Sequence, residues 1–206
     1  MKDLVVLVPD KNTEETIRAL LQSRQEALGI RPLSFDVFVH PRRDPGVYRE
    51  ASEFLRPYQS QYRRALVIFD RDFAGGPASA QKGEKEVQDK LDQEGWQGRS
   101  AVVIIDPELE AWVFSGSRHV VEELANGDEG LFQQVIAQYV ASSPQAHKPQ
   151  KPKEAMEELL RTIGIPRTSA IYSQLAKTVS LRHCQDAAFG KLRSTLQTWF
   201  PLGEKQ

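Results

Sequence analysis

Acidic residues follow three separate apolar segments of this chain, at 4–8, 65–69 and 101–105. In chain order these residues are Asp10, Glu14 and Glu15, then Asp70 and Asp72, then Asp106, Glu108 and Glu110. Carboxylates that share one cleft repel one another unless a cation neutralises them, and a hard divalent ion with oxygen ligands does so. Such an ion polarises a phosphodiester and orients an attacking water. The pattern therefore predicts a Mg²⁺ or Mn²⁺ site, provided that the fold brings the segments together.

The triplet at 70–72 supplies two of these carboxylates, and its weight comes from the two other acidic strand ends that accompany it. Alternate residues of an extended segment point the same way, so Asp70 and Asp72 can reach one ion while Arg71 faces elsewhere. The structural alternative is helix capping, because acidic residues after a strand often stabilise the next helix N-terminus. We assign Glu14 and Glu15 to that structural role and keep the two aspartates as a metal pair.

Short apolar segments separated by helical patterns predict the sheet that positions these residues. Segments 4–8, 65–69 and 101–105 lack alternation, which is typical of strands buried on both faces of a parallel sheet; segment 35–39 is a weaker fourth strand. Helical patterns cover 13–28, 48–62, 78–91, 120–124, 131–140, 156–163, 171–179 and 189–200. The order predicts an α/β fold with a mostly parallel four-stranded sheet flanked by helices. The carboxyl ends of such strands share one edge, where ligand sites form.

The C-terminal part of the chain has no convincing strand pattern. We therefore predict an α/β domain over 1–116 and a helical C-terminal extension over 117–206 that packs on it. The Pro- and Lys-rich segment 142–153 favours an exposed loop or hinge. Its lysines have no aromatic neighbours for base stacking, so a linker is favoured over a nucleic-acid track.

Arg42 and Arg43 follow the weaker strand and are candidates for gripping phosphate groups, with a solvated surface loop as the alternative. The four histidines show no metal-ligand spacing with one another or with Cys184. No glycine-rich nucleotide loop is present in the sequence, which argues against a dinucleotide or P-loop site.

Composition places the chain among ordinary globular proteins. It has 206 residues, 27 Lys+Arg against 28 Asp+Glu, 40% apolar residues and a formal net charge of -1. This balance lacks the overall basic charge of many nucleic-acid binders but leaves room for a local basic face. A single cysteine excludes an intrachain disulfide. The start lacks a secretory pattern and no apolar run is long enough to span a membrane, so we expect a cytoplasmic protein with no membrane partner.

Three short motifs resemble those of Toprim-like proteins from bacterial anti-phage defence loci, of the RloB and OLD-nuclease-associated kind. Residues 10–15 (DKNTEE), 70–72 (DRD) and 108–112 (ELEAW) are similar to the family motifs in order and context, over about residues 4–114. The resemblance implies a Toprim-like, Rossmann-like fold and metal-dependent cleavage of nucleic acid. It also implies that Asp10 is catalytic and binds metal with Asp70, Asp72 and Glu110. Asp10 stands where the family has Glu, and Lys11, a candidate phosphate contact, stands where it has Gly.

Three functional hypotheses follow. The first is a Mg²⁺- or Mn²⁺-dependent nuclease that acts on nucleic acid, with DNA favoured over RNA, together with other proteins of a defence operon and with its oligomeric state left open. The second is a degraded, non-catalytic subunit that binds partners in a defence complex; the substitution at Asp10 motivates it. The third is a phosphotransfer domain with Asp70 as nucleophile, although Phe73 after the triplet departs from that pattern.

Overall fold

Four parallel strands form the centre of the computed structural model, which describes residues 1–114, 116–140, 148–181 and 184–203. The strands are β1 (Lys2–Val8), β2 (Phe35–Val39), β3 (Tyr62–Asp70) and β4 (Ser100–Ile105). They lie in the order β2-β1-β3-β4, and each neighbouring pair is parallel. The predicted class, α/β with a mostly parallel four-stranded sheet flanked by helices, is confirmed.

Helices connect the strands and make up the C-terminal part. Between strands lie α1 (Lys11–Ser23), α2 (Gln25–Leu28), α3 (Arg43–Leu55) and α4 (Ala80–Leu91). After β4 come α5 (Arg118–Ala125), α6 (Glu129–Ile136), α7 (Pro152–Thr162), α8 (Ser169–Thr178) and α9 (Ala187–Trp199). Short 3₁₀ turns cover Arg56–Tyr58 and Leu109–Trp112, and a π turn covers Asp92–Trp96.

The predicted helices have different limits in the structure, and the first two differ most in kind. The segment predicted as one helix over 13–28 is broken at Arg24 into α1 and α2, and the Arg24 side chain donates to three carbonyl oxygens at the end of α8. The segment predicted over 48–62 ends as a helix at Leu55, and its last residue already belongs to β3. Pro57 lies in the 3₁₀ turn that follows, as expected for a residue that cannot continue a helix.

The loop predicted over 142–153 ends earlier in the structure than the sequence indicates. Residues 142–147 lie outside the described residues, and residues 152–153 form the first turn of α7. Pro152 occupies the first helical position, where proline is favoured because its missing N–H has no intrahelical partner there. This correction moves Lys153 from a flexible segment to a fixed helix N-terminus.

The alternating side chains of the strands fill two apolar layers. On one face of the sheet, Val5, Leu7, Val67 and neighbouring residues pack against α3 and α4. On the other face, residues such as Val6 and Ile68 share one continuous core with α1 and with the C-terminal helices, including α8 and α9. The C-terminal helices thus pack over the sheet face that carries α1. The division into an α/β domain and an extension at residue 116 stays a prediction.

No helix among the described residues is long and apolar enough to cross a membrane.

Two helical glycines test how closely the layers pack. A Cβ on Gly83 in α4 would lie 2.7 Å from Cδ1 of Ile104 on β4, whereas a Cβ on Gly190 in α9 meets nothing within 4 Å. We expect Gly83→Ala to lower the free energy of unfolding by about 1–3 kcal/mol through overpacking. Gly190→Ala, the matched control, should raise it by about 0.5–1 kcal/mol through helix propensity. Urea denaturation measures both, and a shift of the same sign in the two variants would contradict this packing.

Candidate functional site

A highly charged cavity of about 290 Å³ opens at the carboxyl ends of the strands. It is lined by Asp10, Lys11, Asn12, Arg43, Asp70, Glu108, Leu109, Glu110, Lys153 and Arg167. The set contains four carboxylates and four cationic side chains, contributed by the segments after all four strands and by the C-terminal helices. Because the carboxyl ends of the parallel strands share one edge of the sheet, acidic residues that are distant in the chain meet in one cavity.

Asp10 lies between β1 and α1 and caps the helix. Its Oδ1 accepts hydrogen bonds from the backbone N–H of Thr13 at 2.9 Å and from the Thr13 hydroxyl at 3.0 Å. The helix N-terminus favours a negative charge at this position. The capping role that we expected of Glu14 and Glu15 thus belongs to Asp10, while both glutamates form ion pairs with Lys11. Capping occupies Oδ1, and no hydrogen bond from a described residue reaches Oδ2.

Asp70 is the last residue of β3 and carries the least satisfied charge of the site. Its Oδ1 is buried and has no hydrogen-bond partner among the described residues. Burial raises the pKa of Asp70 well above its usual range, and the negative charges of Asp44, Glu110 and Asp10 add to that effect. A buried carboxylate in this environment needs either a proton or a cation.

Asp44 is a member of the acidic group that the sequence analysis missed. It lies in the first turn of α3, and its Oδ1 accepts the backbone N–H of Asp70 at 2.9 Å. Burial raises its pKa, the Asp70 hydrogen bond opposes that rise, and the charge of Asp10 adds to it. Asp44 follows β2, so the position of ligand sites at strand ends could have indicated it if β2 had been treated like the other three strands.

Glu110 is almost completely buried and is held by residues from the C-terminal helices. Its side chain has 5% relative exposure, and its Oε1 accepts from Nη1 of Arg167 at 2.8 Å and from the hydroxyl of Tyr172. Burial and the charge of Glu110 raise the pKa of Tyr172, which keeps the phenol protonated as a donor. The predicted metal ligand therefore already has a cationic partner within the chain.

Glu108 shares the cavity but keeps more of its carboxylate available. It precedes the 3₁₀ turn that contains Glu110, and its Oε1 accepts the backbone N–H of Lys153 at 3.0 Å. Burial raises its pKa, and the neighbouring charge of Glu110 acts in the same direction. Glu108 was noted in the sequence only as part of the third acidic segment, because its neighbour Glu110 matched the family motif.

Asp72 is exposed and does not line the cavity. The β-strand ends at Asp70, and the chain bends immediately, so that the backbone N–H of Asp72 donates to the Pro107 carbonyl at 3.0 Å. The side-chain alternation that would align the two aspartates holds only in extended chain. Arg71 pairs with Asp106 at 2.7 Å instead of with the acidic cluster.

Of the three predicted phosphate contacts, two line the cavity and one does not. Lys11 and Arg43 line the cavity, and Arg43 adopts a left-handed backbone conformation with φ of 49° at the start of α3. Arg42 does not line it; this exposed side chain pairs with Glu50. Lys153 and Arg167 were missed as site residues, because nothing in their local sequence shows that the C-terminal helices return to the sheet edge.

Oxygen donors of the correct type for Mg²⁺ line the cavity, but they are not drawn together around one point. Within the described ranges, no group of three or more His, Cys, Asp or Glu side chains is arranged to hold a metal ion. The unpartnered Oδ1 of Asp70 is the feature that fits a bound cation, since a divalent ion would compensate a charge that the protein leaves buried.

Comparisons with known proteins give one structural likeness. No family model matches the chain, and no curated protein is significantly similar to it. Among solved structures it is similar to the "C-terminal region of the Burkholderia pseudomallei OLD protein", at 13% sequence identity and a TM-score of 0.49, covering 96% of this chain and 98% of that chain. The resemblance of the three motifs to Toprim-like defence proteins therefore stays a prediction.

The buried charge of Asp70 predicts a pH-dependent stability effect. The folded pKa is raised, so the folded state keeps a proton that the unfolded chain releases above about pH 4, and this contribution to stability is lost as pH rises through the folded pKa. We expect Asp70→Asn to exceed the wild type in free energy of unfolding by about 1–3 kcal/mol at pH 8, with the difference shrinking toward zero near pH 4.

Urea denaturation across that pH range measures the effect. Asp89→Asn is the matched control, since Asp89 is exposed in an ion pair with Lys85 and should change stability by about 0.5 kcal/mol or less. If Asp70→Asn is less stable than the wild type by the same amount at every pH, the prediction is contradicted. That result would mean that the folded protein compensates the negative charge of Asp70.

Proposed function

We propose that the chain is a metal-dependent phosphodiesterase that cleaves nucleic acid, with Mg²⁺ or Mn²⁺ as its cofactor. The observation that carries the proposal is the buried, unpartnered Oδ1 of Asp70 in a cavity lined by four carboxylates. Leaving such a charge uncompensated is costly, and proteins keep such arrangements mainly at sites where a ligand or proton supplies the balance.

Asp10, Asp70 and Glu108 are the residues that would hold the ion. Each presents carboxylate oxygen to the cavity, and each has at least one oxygen that accepts no hydrogen bond from the described residues. When bound, the ion polarises a phosphodiester and lowers the pKa of a coordinated water. Asp10, fixed by its hydrogen bonds to Thr13, also provides a positioned carboxylate for proton transfer.

Cationic side chains at the rim would bind the phosphates that flank the scissile bond. Lys11, Arg43 and Lys153 line the same cavity as the carboxylates and come from three different elements. Phosphate contacts of this kind position a nucleic acid without reading its sequence.

The biological setting proposed from the three motifs is bacterial anti-phage defence, with DNA as the substrate and other proteins of a defence operon as partners. The motifs at 10–15, 70–72 and 108–112 support this setting through their order along the chain and their place after three strands of one sheet. The cavity chemistry supports phosphodiester substrates in general.

A second candidate function is a partner-binding subunit without catalytic activity. Two observations favour it: Arg167 already neutralises Glu110, and no three potential ligands among the described residues are gathered around one point. Under this alternative the carboxylate cavity is a remnant of a catalytic site, and the protein acts by binding other components of a complex.

Cleavage assays on purified protein test the catalytic proposal. We expect Mg²⁺- or Mn²⁺-dependent cleavage of DNA that EDTA abolishes and that Asp70→Asn lowers about a hundredfold or more, the scale on which a preorganised charged group acts. Because Asp70→Asn is also expected to stabilise the fold, unfolding does not explain such a loss. Asp89→Asn should cleave like the wild type. Cleavage that survives both EDTA and Asp70→Asn would remove the metal mechanism, and no cleavage of any nucleic acid would favour the partner-binding role.

In the same assay, Asp72→Asn tests whether Asp72 binds metal, as the sequence motif predicts, or has no part in cleavage, as its position outside the cavity indicates. Asp72 is exposed and outside the cavity lining, so we expect cleavage to fall far less than in Asp70→Asn. An equal loss of cleavage in Asp70→Asn and Asp72→Asn would support both aspartates as metal ligands, as the triplet predicts.

Nucleic-acid binding tests the role of Lys153. With Ca²⁺ in place of Mg²⁺ to limit cleavage, we expect Lys153→Gln to weaken DNA binding equally for unrelated sequences and to reduce the salt dependence of the affinity by about one phosphate contact. Fluorescence anisotropy at several salt concentrations measures both. Lys85→Gln on the exposed face of α4 is the control, and an equal effect of the two variants would assign the loss to net charge alone.

A further inference from the structure

The guanidinium group of Arg167 is held in one orientation at the cavity wall. Its Nη1 donates to Oε1 of Glu110 and to the hydroxyl of Tyr172, each at 2.8 Å. Its Nε lies 3.2 Å from Oε1 of Glu157 on α7. The hydroxyl of Tyr172 donates in turn to Glu110. Because the guanidinium is planar, contacts at Nη1 and Nε fix the direction of Nη2 as well.

Nη2 of Arg167 is a donor that the protein does not use. No hydrogen bond joins it to another described residue, whereas Nη1 makes two. The Arg167 side chain keeps 27% relative exposure and lines the cavity together with Asp70 and Glu108. Nη2 therefore remains as a donor for a ligand that occupies the cavity.

Stability alone is a weak reason for this arrangement. Glu110 is almost completely buried, and removing its charge from water costs free energy that an arginine partner repays only in part. An apolar pair of similar volume would fill the same space without that cost. A guanidinium held in a fixed plane is instead typical of sites that recognise phosphate groups.

We infer that Arg167 is a phosphate-binding residue of the cavity and that Glu110 is the residue that positions it. The inference rests on the nucleic-acid substrate proposed above and requires no metal ion at Glu110. Nη2 donates to a phosphate oxygen of the bound strand, while Glu110 and Tyr172 hold the guanidinium before the substrate arrives. A side chain that is already ordered loses little conformational entropy on binding.

Arg167 contributes directional hydrogen bonding rather than net charge. Glu110 already offsets its positive charge within the protein. Counterion release from DNA follows the positive charge that a protein brings to the phosphates. A contact through Arg167 therefore adds affinity without adding salt dependence. Lys153→Gln, by contrast, is expected to reduce the salt dependence, so the two kinds of contact can be told apart.

A charge-neutral double variant tests the phosphate contact. With Ca²⁺ in place of Mg²⁺, we expect Glu110→Gln/Arg167→Met to bind DNA about tenfold more weakly than the wild type, because a charge-assisted donor is lost. The salt dependence should not change, since the net charge is the same. Removing both charges leaves neither of them buried alone. Fluorescence anisotropy at several salt concentrations measures the affinities.

Lys85→Gln/Asp89→Asn is the matched control, because it removes an exposed ion pair of α4, and it should bind DNA like the wild type. Wild-type affinity in Glu110→Gln/Arg167→Met would overturn the inference. A loss equal to that of the control, or one accompanied by a lower salt dependence, would overturn it too. If the expected loss of binding is found but the wild type cleaves no nucleic acid, the inference stands and the catalytic proposal fails.

Calorimetric titration with Mn²⁺ separates a positioning role of Glu110 from that of a metal ligand. We expect Glu110→Gln to bind Mn²⁺ as tightly as the wild type does. Weaker Mn²⁺ binding would assign this carboxylate to the ion and overturn its positioning role.

Arg167→Lys decides the inference if the double variant does not fold or if the wild type binds no Mn²⁺. It keeps the positive charge but not the planar group, so we expect weaker DNA binding than in the wild type. Wild-type DNA affinity in Arg167→Lys would contradict the inference. Absence of Mn²⁺ binding in the wild type would by itself remove only the metal part of the proposed function.

Discussion

Repulsion among carboxylates is the constraint around which this structure is organised. The parallel sheet places the ends of β1, β3 and β4 at one edge, and each of these ends leads into an acidic segment. The protein relieves part of the repulsion locally: the α1 N-terminus receives Asp10, and Arg167 receives Glu110. Asp70 is left without compensation, with its pKa raised by burial and by its neighbours. That unpartnered carboxylate is the feature on which the proposed cation site rests.

The C-terminal part of the chain contributes two positively charged side chains to the cavity at the sheet edge. The C-terminal helices share the apolar core of the α1 face, and this packing brings Lys153 and Arg167 to a cavity whose carboxylates come from the first 110 residues. Fixing long cationic side chains costs conformational entropy, which the buried apolar contacts of the helices offset. The same packing places Tyr172, a buried phenol, where it can donate to Glu110. Stability and site chemistry thus depend on one interface.

Local patterns predicted the fold well where a single property decided the outcome. The apolar segments became strands because burial on both faces demands uninterrupted apolar sequence, and the helix that contains Val87 and Leu91 formed as its periodicity indicated. Prediction was weaker where a distant contact decided. At the break at Arg24, the arginine side chain donates to carbonyls at the end of α8, about 150 residues further along the chain. No local window of sequence contains that interaction.

The α/β class, the four strands and the meeting of Asp10, Asp70 and Glu110 in one cavity could be predicted from residue patterns, because parallel strands with acidic ends share one edge of a sheet. Which of these charges are balanced is visible only in the folded chain. There Asp72 lies outside the cavity after the bend that follows β3, Asp44 joins the acidic group, and Arg167 pairs with Glu110. Charge balance in a cavity depends on distance and burial in space, and neither is encoded in the spacing of residues along the chain.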